Sequence, residues 1–110
     1  MSRSDQELVR DALDHIDVLK GHLTQGNLSD ITIADAVNMR LSAAIETPAQ
    51  TTPELREKYF GAEWQLMWAT RNRISHSYSF VDVEIIQKTV ENRLPHLEAQ
   101  LRAALSEFQN

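Results

Sequence analysis

Residues 4–23, SDQELVRDALDHIDVLKGHL, decide the fold class. They open on Ser4-Asp5-Gln6-Glu7, a capping box in which a serine hydroxyl and a glutamate carboxylate satisfy free backbone N–H groups at a helix start. Leu8, Ala12, Ile16, Leu19 and Leu23 then recur at three- and four-residue steps, flanked by Val9 and Leu13, while Arg10, Asp14, Asp17 and Lys20 fall mostly elsewhere. One apolar stripe on a helix of this length needs other helices to cover it.

Working outward, Gly26-Asn27 supplies a stop, and Ser29, Asp30 or Thr32 can cap a second helix with the stripe Ile33, Val37, Leu41, Ala44 and Ile45. Pro48 kinks or ends it. Thr52-Pro53-Glu54 is a further start signal: a capping threonine, a proline where a missing N–H costs nothing, and an acid at the positive helix end. A short helix to about Phe60 follows, and Gly61 breaks it. Trp64, Met67, Trp68 and Ile74 then mark a helix to about His76. The last helix starts near Asp82 and carries Val83, Ile86, Val90, Leu94, Leu97, Leu101, Leu105 and Phe108, with a kink at Pro95, which removes the bond back to Glu91. The expectation is an all-α, four-helix bundle with an additional short helix, forming one domain over residues 1–110.

Composition agrees with that reading and narrows the function. A surplus of Leu, Ala, Glu and Arg, with only 3 Gly and 3 Pro, favours helix over sheet. The absence of cysteine excludes disulfides, thiolate catalysis and Cys-based zinc sites. The polar start and the lack of any run of ~18 apolar residues lead us to expect a cytoplasmic protein with no membrane partner. A net charge of −5 excludes a protein that coats nucleic acid non-specifically, because counterion-driven binding needs an excess of Lys and Arg. Any RNA contact must be local.

The chemistry is concentrated in residues 71–78, Arg-Asn-Arg-Ile-Ser-His-Ser-Tyr, which hold two guanidiniums, an amide, three hydroxyls and an imidazole around a single apolar residue. That is poor core material. On one helix Arg71 and His76 differ by roughly 140°, whereas Asn72 and His76 share a face, so Asn72 can orient the imidazole. Fraying after Ser75, or a second subunit, would bring Arg71 and His76 together. Such a pair suits RNA cleavage: histidine moves protons near neutral pH, and the planar guanidinium fork fits phosphate oxygens without a metal. Taken alone, the same constellation also describes a solvated helix end.

The run Arg71-Asn72-Arg73-Ile74-Ser75-His76-Ser77-Tyr78, followed by Val81-Asp82, Val83-Glu84-Ile85-Ile86 and Leu94-Pro95-His96-Leu97, resembles the HepT family of HEPN proteins. Its hallmark is Arg-x4-His-x-Tyr, then Val-Asp, then a helix with a Leu-Pro-x-Leu kink. Trp64, seven residues before the motif arginine, and Ile45-Glu46, similar to part of an Ile-Gly-Glu-Ala segment, extend the likeness over most of residues 30–100. Thr47-Pro48 and Ser77 depart from the pattern. The resemblance implies a homodimer with two motifs lining one cleft and metal-independent RNA cleavage by Arg71 and His76. It further implies a partner antitoxin of the MNT nucleotidyltransferase type, which transfers adenylate from ATP to Tyr78. Asn72 and Arg73 are expected as supporting or RNA-binding residues. The chain itself is expected to need no cofactor, and the RNA would be a tRNA or an mRNA.

Other readings compete. His15 and His22 with Asp11 offer a surface metal site, although no Glu-x-x-His of the di-iron type accompanies them. Trp64 and Trp68 can stack bases, but Leu66 and Met67 beside them favour core packing. Arg40, Arg56, Lys58, Arg73 and Arg93 are candidate phosphate contacts, Arg73 foremost because it adjoins the motif. Against the ribonuclease stand a catalytically silent HEPN module that binds nucleotide, RNA or a partner, and a structural bundle whose polar segment seals a subunit interface.

Overall fold

The computed structural model describes residues 3–75 and 82–109. Among these the chain forms α1 (Asp5–Gln25), α2 (Ile31–Glu46), a 3-10 turn (Pro48–Gln50), α3 (Pro53–Tyr59), α4 (Glu63–Ser75), α5 (Val83–Asn92) and α6 (Leu94–Gln109), with no strand. The all-α expectation is met. No helix among the described residues is long and apolar enough to cross a membrane.

The helix starts follow local chemistry. Ser4 Oγ accepts the Glu7 N–H at 3.2 Å, and Asp30 Oδ1 accepts the Thr32 N–H at 2.9 Å. Thr52 caps α3 and also donates its hydroxyl to Asp5 Oδ2 at 2.7 Å, which ties the start of α3 to the start of α1. Asp82 caps α5 through the Ile85 N–H at 3.2 Å. Gly61, at φ 56, lies in the left-handed region, where its N–H closes back onto the Arg56 carbonyl at 3.1 Å. A side chain would be strained there, so the turn between α3 and α4 depends on glycine.

One expectation is corrected at Pro95. The anticipated single kinked helix is two helices, with Arg93 as the C-cap of α5 and Pro95 in the first turn of α6. Proline lacks the N–H for the Glu91 carbonyl and its ring crowds that oxygen, so the ladder stops and restarts, with the Leu97 N–H bonding the Arg93 carbonyl at 3.0 Å.

Helix α1 packs along α2 and α6, α2 also meets α4, and α5 packs on α6 and α4. The core holds Val9, Ile16 and Leu19 from α1, Val37, Leu41 and Ile45 from α2, and Ile86, Leu97 and Leu101 from the last two helices. Leu23, Ile33, Val90 and Leu105 pack partly buried at its edges. Phe108, placed on the stripe by its spacing, is exposed near the end of α6. Glu98 clasps α6 to α1 by accepting from Lys20 Nζ at 2.6 Å, and it also accepts from Arg102 at 3.0 Å. The Lys20 ammonium, then the Arg102 guanidinium, hold its carboxyl below the usual carboxylate range.

Candidate active site

Helix α4 carries an aromatic ladder that ends on an arginine. Trp64 and Trp68 are four residues apart and lie one turn apart on one face of α4, and the turn at Gly61 brings Phe60, the C-cap of α3, against Trp64. Their ring centroids are 5.4 Å and 6.3 Å apart in succession. Arg71, three residues further, lays its guanidinium over the Trp68 ring at 5.0 Å from the centroid. Both tryptophans are partly buried against the core, as the packing reading expects, and Trp68 also offers its π face to a cation.

The Arg71 guanidinium is held from two further sides. Nη2 donates to the Glu46 carboxylate, with which it forms an ion pair, and Nη1 donates to Asn72 Oδ1 at 3.2 Å. Glu46 is the last residue of α2, where the negative end of the helix dipole disfavours a carboxylate. Its place there is explained by the cation it meets. A guanidinium has five N–H donors. Each Nη therefore keeps one beyond those given to Glu46 and Asn72, and Nε–H is buried without an acceptor among the described residues. The side chain is 22% exposed and that of Glu46 47%, so the pair sits at the surface with the fork accessible from one edge.

Glu46 was assigned no chemistry by the sequence reading. The available signal was an acid at the wrong end of a helix. Because the pair is partly solvated, it is worth at most about 1 kcal/mol, or about fivefold in a rate that depends on Arg71. Glu46→Ala is therefore expected to slow the RNA cleavage implied by the motif by up to about fivefold and to lower stability by no more than about 1 kcal/mol. Unchanged cleavage would mean that the carboxylate has no part in placing Arg71.

The remaining expected residues fall into three groups. Asn72 is engaged through Oδ1 by Arg71, whereas its proposed partner His76, together with Tyr78, lies outside the described residues. Arg73 projects from a different face of α4 into a cleft of about 700 Å³ between α4 and α5. Of the other phosphate candidates, Arg93 lines the same cleft, but Arg40 faces His15 Nδ1 at 3.1 Å, Arg56 donates to the carbonyls of Ala49 and Thr51, and Lys58 pairs with Glu107 at 2.8 Å. Those three are structural charges. Partial burial, and then the Arg40 charge, lower the pKa of His15. Among the described residues no group of three or more His, Asp or Glu side chains is placed to hold a metal ion.

Comparison with known proteins adds one finding. The sequence model of the HepT-like family, described as "Ribonuclease HepT-like", matches residues 9–104, nearly the whole chain. No curated protein and no solved structure gives a match.

Proposed function

The chain belongs to the HepT-like ribonuclease family, and from that premise we propose that it is the toxin of a toxin–antitoxin pair, a metal-independent endoribonuclease acting as a two-fold dimer. The observation that carries this reading is the mounting of Arg71: a motif arginine stacked on Trp68, aimed by Glu46 and Asn72, and left with one N–H on each Nη to meet phosphate oxygens. In this reading His76 takes the proton of an RNA 2′-hydroxyl, whose oxygen forms a bond to phosphorus. The bond from phosphorus to the 5′-oxygen breaks, and His76 of the partner subunit protonates the departing oxygen. Arg71 steadies the added negative charge of the phosphorane. The exposed Met39 lies two turns before Glu46 on the same helix and, with the exposed Ile31 at that helix's start, supports association of two copies.

The reading is tested by incubating the purified protein with RNA in excess EDTA. Fragments with 2′,3′-cyclic phosphate and 5′-hydroxyl ends are expected, from a species that sediments as a dimer. A strict need for Mg²⁺ would overturn the mechanism.

Regulation follows from Tyr78. A phenol titrates near ~10 and is a poor base at neutral pH, so a tyrosine two residues from His76 suits modification. Adenylate transferred from ATP by an MNT-type nucleotidyltransferase antitoxin would put a phosphodiester within reach of Arg71 and occupy the RNA's place. Co-expression with such a partner is expected to add adenylate mass to Tyr78, and Tyr78→Phe is expected to escape neutralisation. A neutralised protein without that modification would point to simple occlusion instead.

A further inference from the structure

The groove on the other side of α4 has a charge pattern that the catalytic motif does not explain. Its first wall is one face of α4, on which Glu63, Leu66, Thr70 and Arg73 recur at three- and four-residue steps. The opposite wall runs across the break at Arg93, where Lys88, Asn92, His96 and Gln100 follow one another at four-residue steps on α5 and then α6. Two adjoining clefts, of about 700 Å³ and about 310 Å³, share Leu66, Asn92 and Arg93, so they form one continuous groove with Arg93 at its waist.

The donors and acids of this groove are unevenly committed. Thr70 and Thr89 turn their hydroxyls back to their own helices, onto the carbonyls of Leu66 at 3.0 Å and Ile85 at 2.7 Å. The Asp82 carboxylate caps α5. Glu84 is held by Lys88 at 3.0 Å in an exposed pair that salt readily screens. The half-buried Arg93, by contrast, makes no side-chain hydrogen bond or ion pair among the described residues. In an acidic chain, one groove thus gathers Arg73, Lys88 and Arg93, and its carboxylates are engaged, Asp82 as a cap, Glu84 by Lys88 and Glu63 by His96 at 2.6 Å.

We infer that this groove between α4 and the α5–α6 pair is a track for the phosphate backbone of single-stranded RNA, with Arg93 as its central contact. The inference rests on the ribonuclease reading and adds to it where the substrate strand runs outside the cleavage motif. Its length favours a polymer over a lone phosphate, since the wall from Lys88 to Gln100 spans several helical turns, on the order of 15–20 Å. The groove includes Arg73, two residues along α4 from Arg71, and Asp82, which follows residue 81 in the sequence. Arginine suits the waist because its fork grips phosphate oxygens whatever the base.

The test measures binding of a fluorescein-labelled, uncleavable 2′-O-methyl RNA strand to the full-length protein over a range of salt concentrations. Arg93→Ala is expected to weaken binding about tenfold, and Lys88→Ala with Arg93→Ala to reduce the slope of log affinity against log salt by about 1–2. Arg102→Ala, which removes a base paired with Glu98, should change neither. Unaltered RNA affinity in the double variant overturns the inference. So does a double variant that keeps its RNA affinity but no longer sediments as the wild type does, because the groove, with Leu66 47% exposed in it, is then a protein-docking face. A wild-type protein that neither binds nor cleaves RNA overturns the ribonuclease reading itself. Wild-type cleavage with unaffected variants overturns the track alone.

Discussion

Arg71→Ala and His76→Ala are each expected to lower RNA cleavage by about 10³-fold while leaving helical content and the dimer intact. The argument differs for the two residues. In the proposed mechanism Arg71 supplies the fixed charge that meets the phosphorane, and its contacts with Glu46, Asn72 and Trp68 orient the fork. Losing it removes transition-state stabilisation that no neighbour replaces. The structural loss is small, since a cation–π contact at a partly exposed site is worth about 0.5–1 kcal/mol. Arg71→Lys should recover only part of the activity, because an ammonium keeps the charge but not the planar fork. His76→Ala removes proton transfer, and the pH profile of any residual cleavage should lose its limb near neutrality. Rate and circular dichroism measured on the same samples decide the matter. Full activity in either alanine variant would end the assignment.

The second large effect concerns the helix that presents Glu46. Leu41→Ala is expected to destabilise the fold by about 2–5 kcal/mol, a large share of the about 5–15 kcal/mol that holds a domain of this size together. Leu41 is fully buried in the central cluster, on the helix that packs against both α1 and α4. Truncation removes favourable burial and leaves a cavity that close-packed neighbours fill only in part. Asp35, exposed on the same helix, provides the control: Asp35→Ala should change stability by no more than about 0.5 kcal/mol. In urea, Leu41→Ala should lower the midpoint by about 1–3 M with an unchanged slope. A loss under about 1 kcal/mol would mean that α2 is not packed as described. Because α2 carries Glu46, cleavage by Leu41→Ala should also fall as temperature rises, before that of the wild type.

The helix boundaries were legible in the sequence because the interactions that set them are local. Ser4, Asp30, Thr52 and Asp82 cap helices through N–H groups two or three residues away, and Gly61 and Pro95 act through their own backbone geometry. The core was legible for a related reason: helical periodicity alone puts Leu8, Ile16, Leu19, Val37, Leu41 and Leu101 on faces that must be covered. The Arg-x4-His-x-Tyr run was legible as a resemblance to the HepT family, with which the family match over residues 9–104 agrees, whereas its composition and spacing alone also describe a solvated helix end.

Only the tertiary structure decided where each charge is directed. Arg40, Arg56, Lys58, Arg73 and Arg93 look alike in sequence, yet the first three are directed to His15, to two carbonyls and to Glu107, and the last two line the groove. Glu46 meets Arg71 only because α2 and α4 pack side by side, 25 residues apart along the chain. At Pro95 the sequence located the interruption, but it could not distinguish a bent helix from two helices. A side-chain pattern records which face of a helix is buried. It does not record which neighbouring helix covers that face, and the partner of each surface charge depends on that choice.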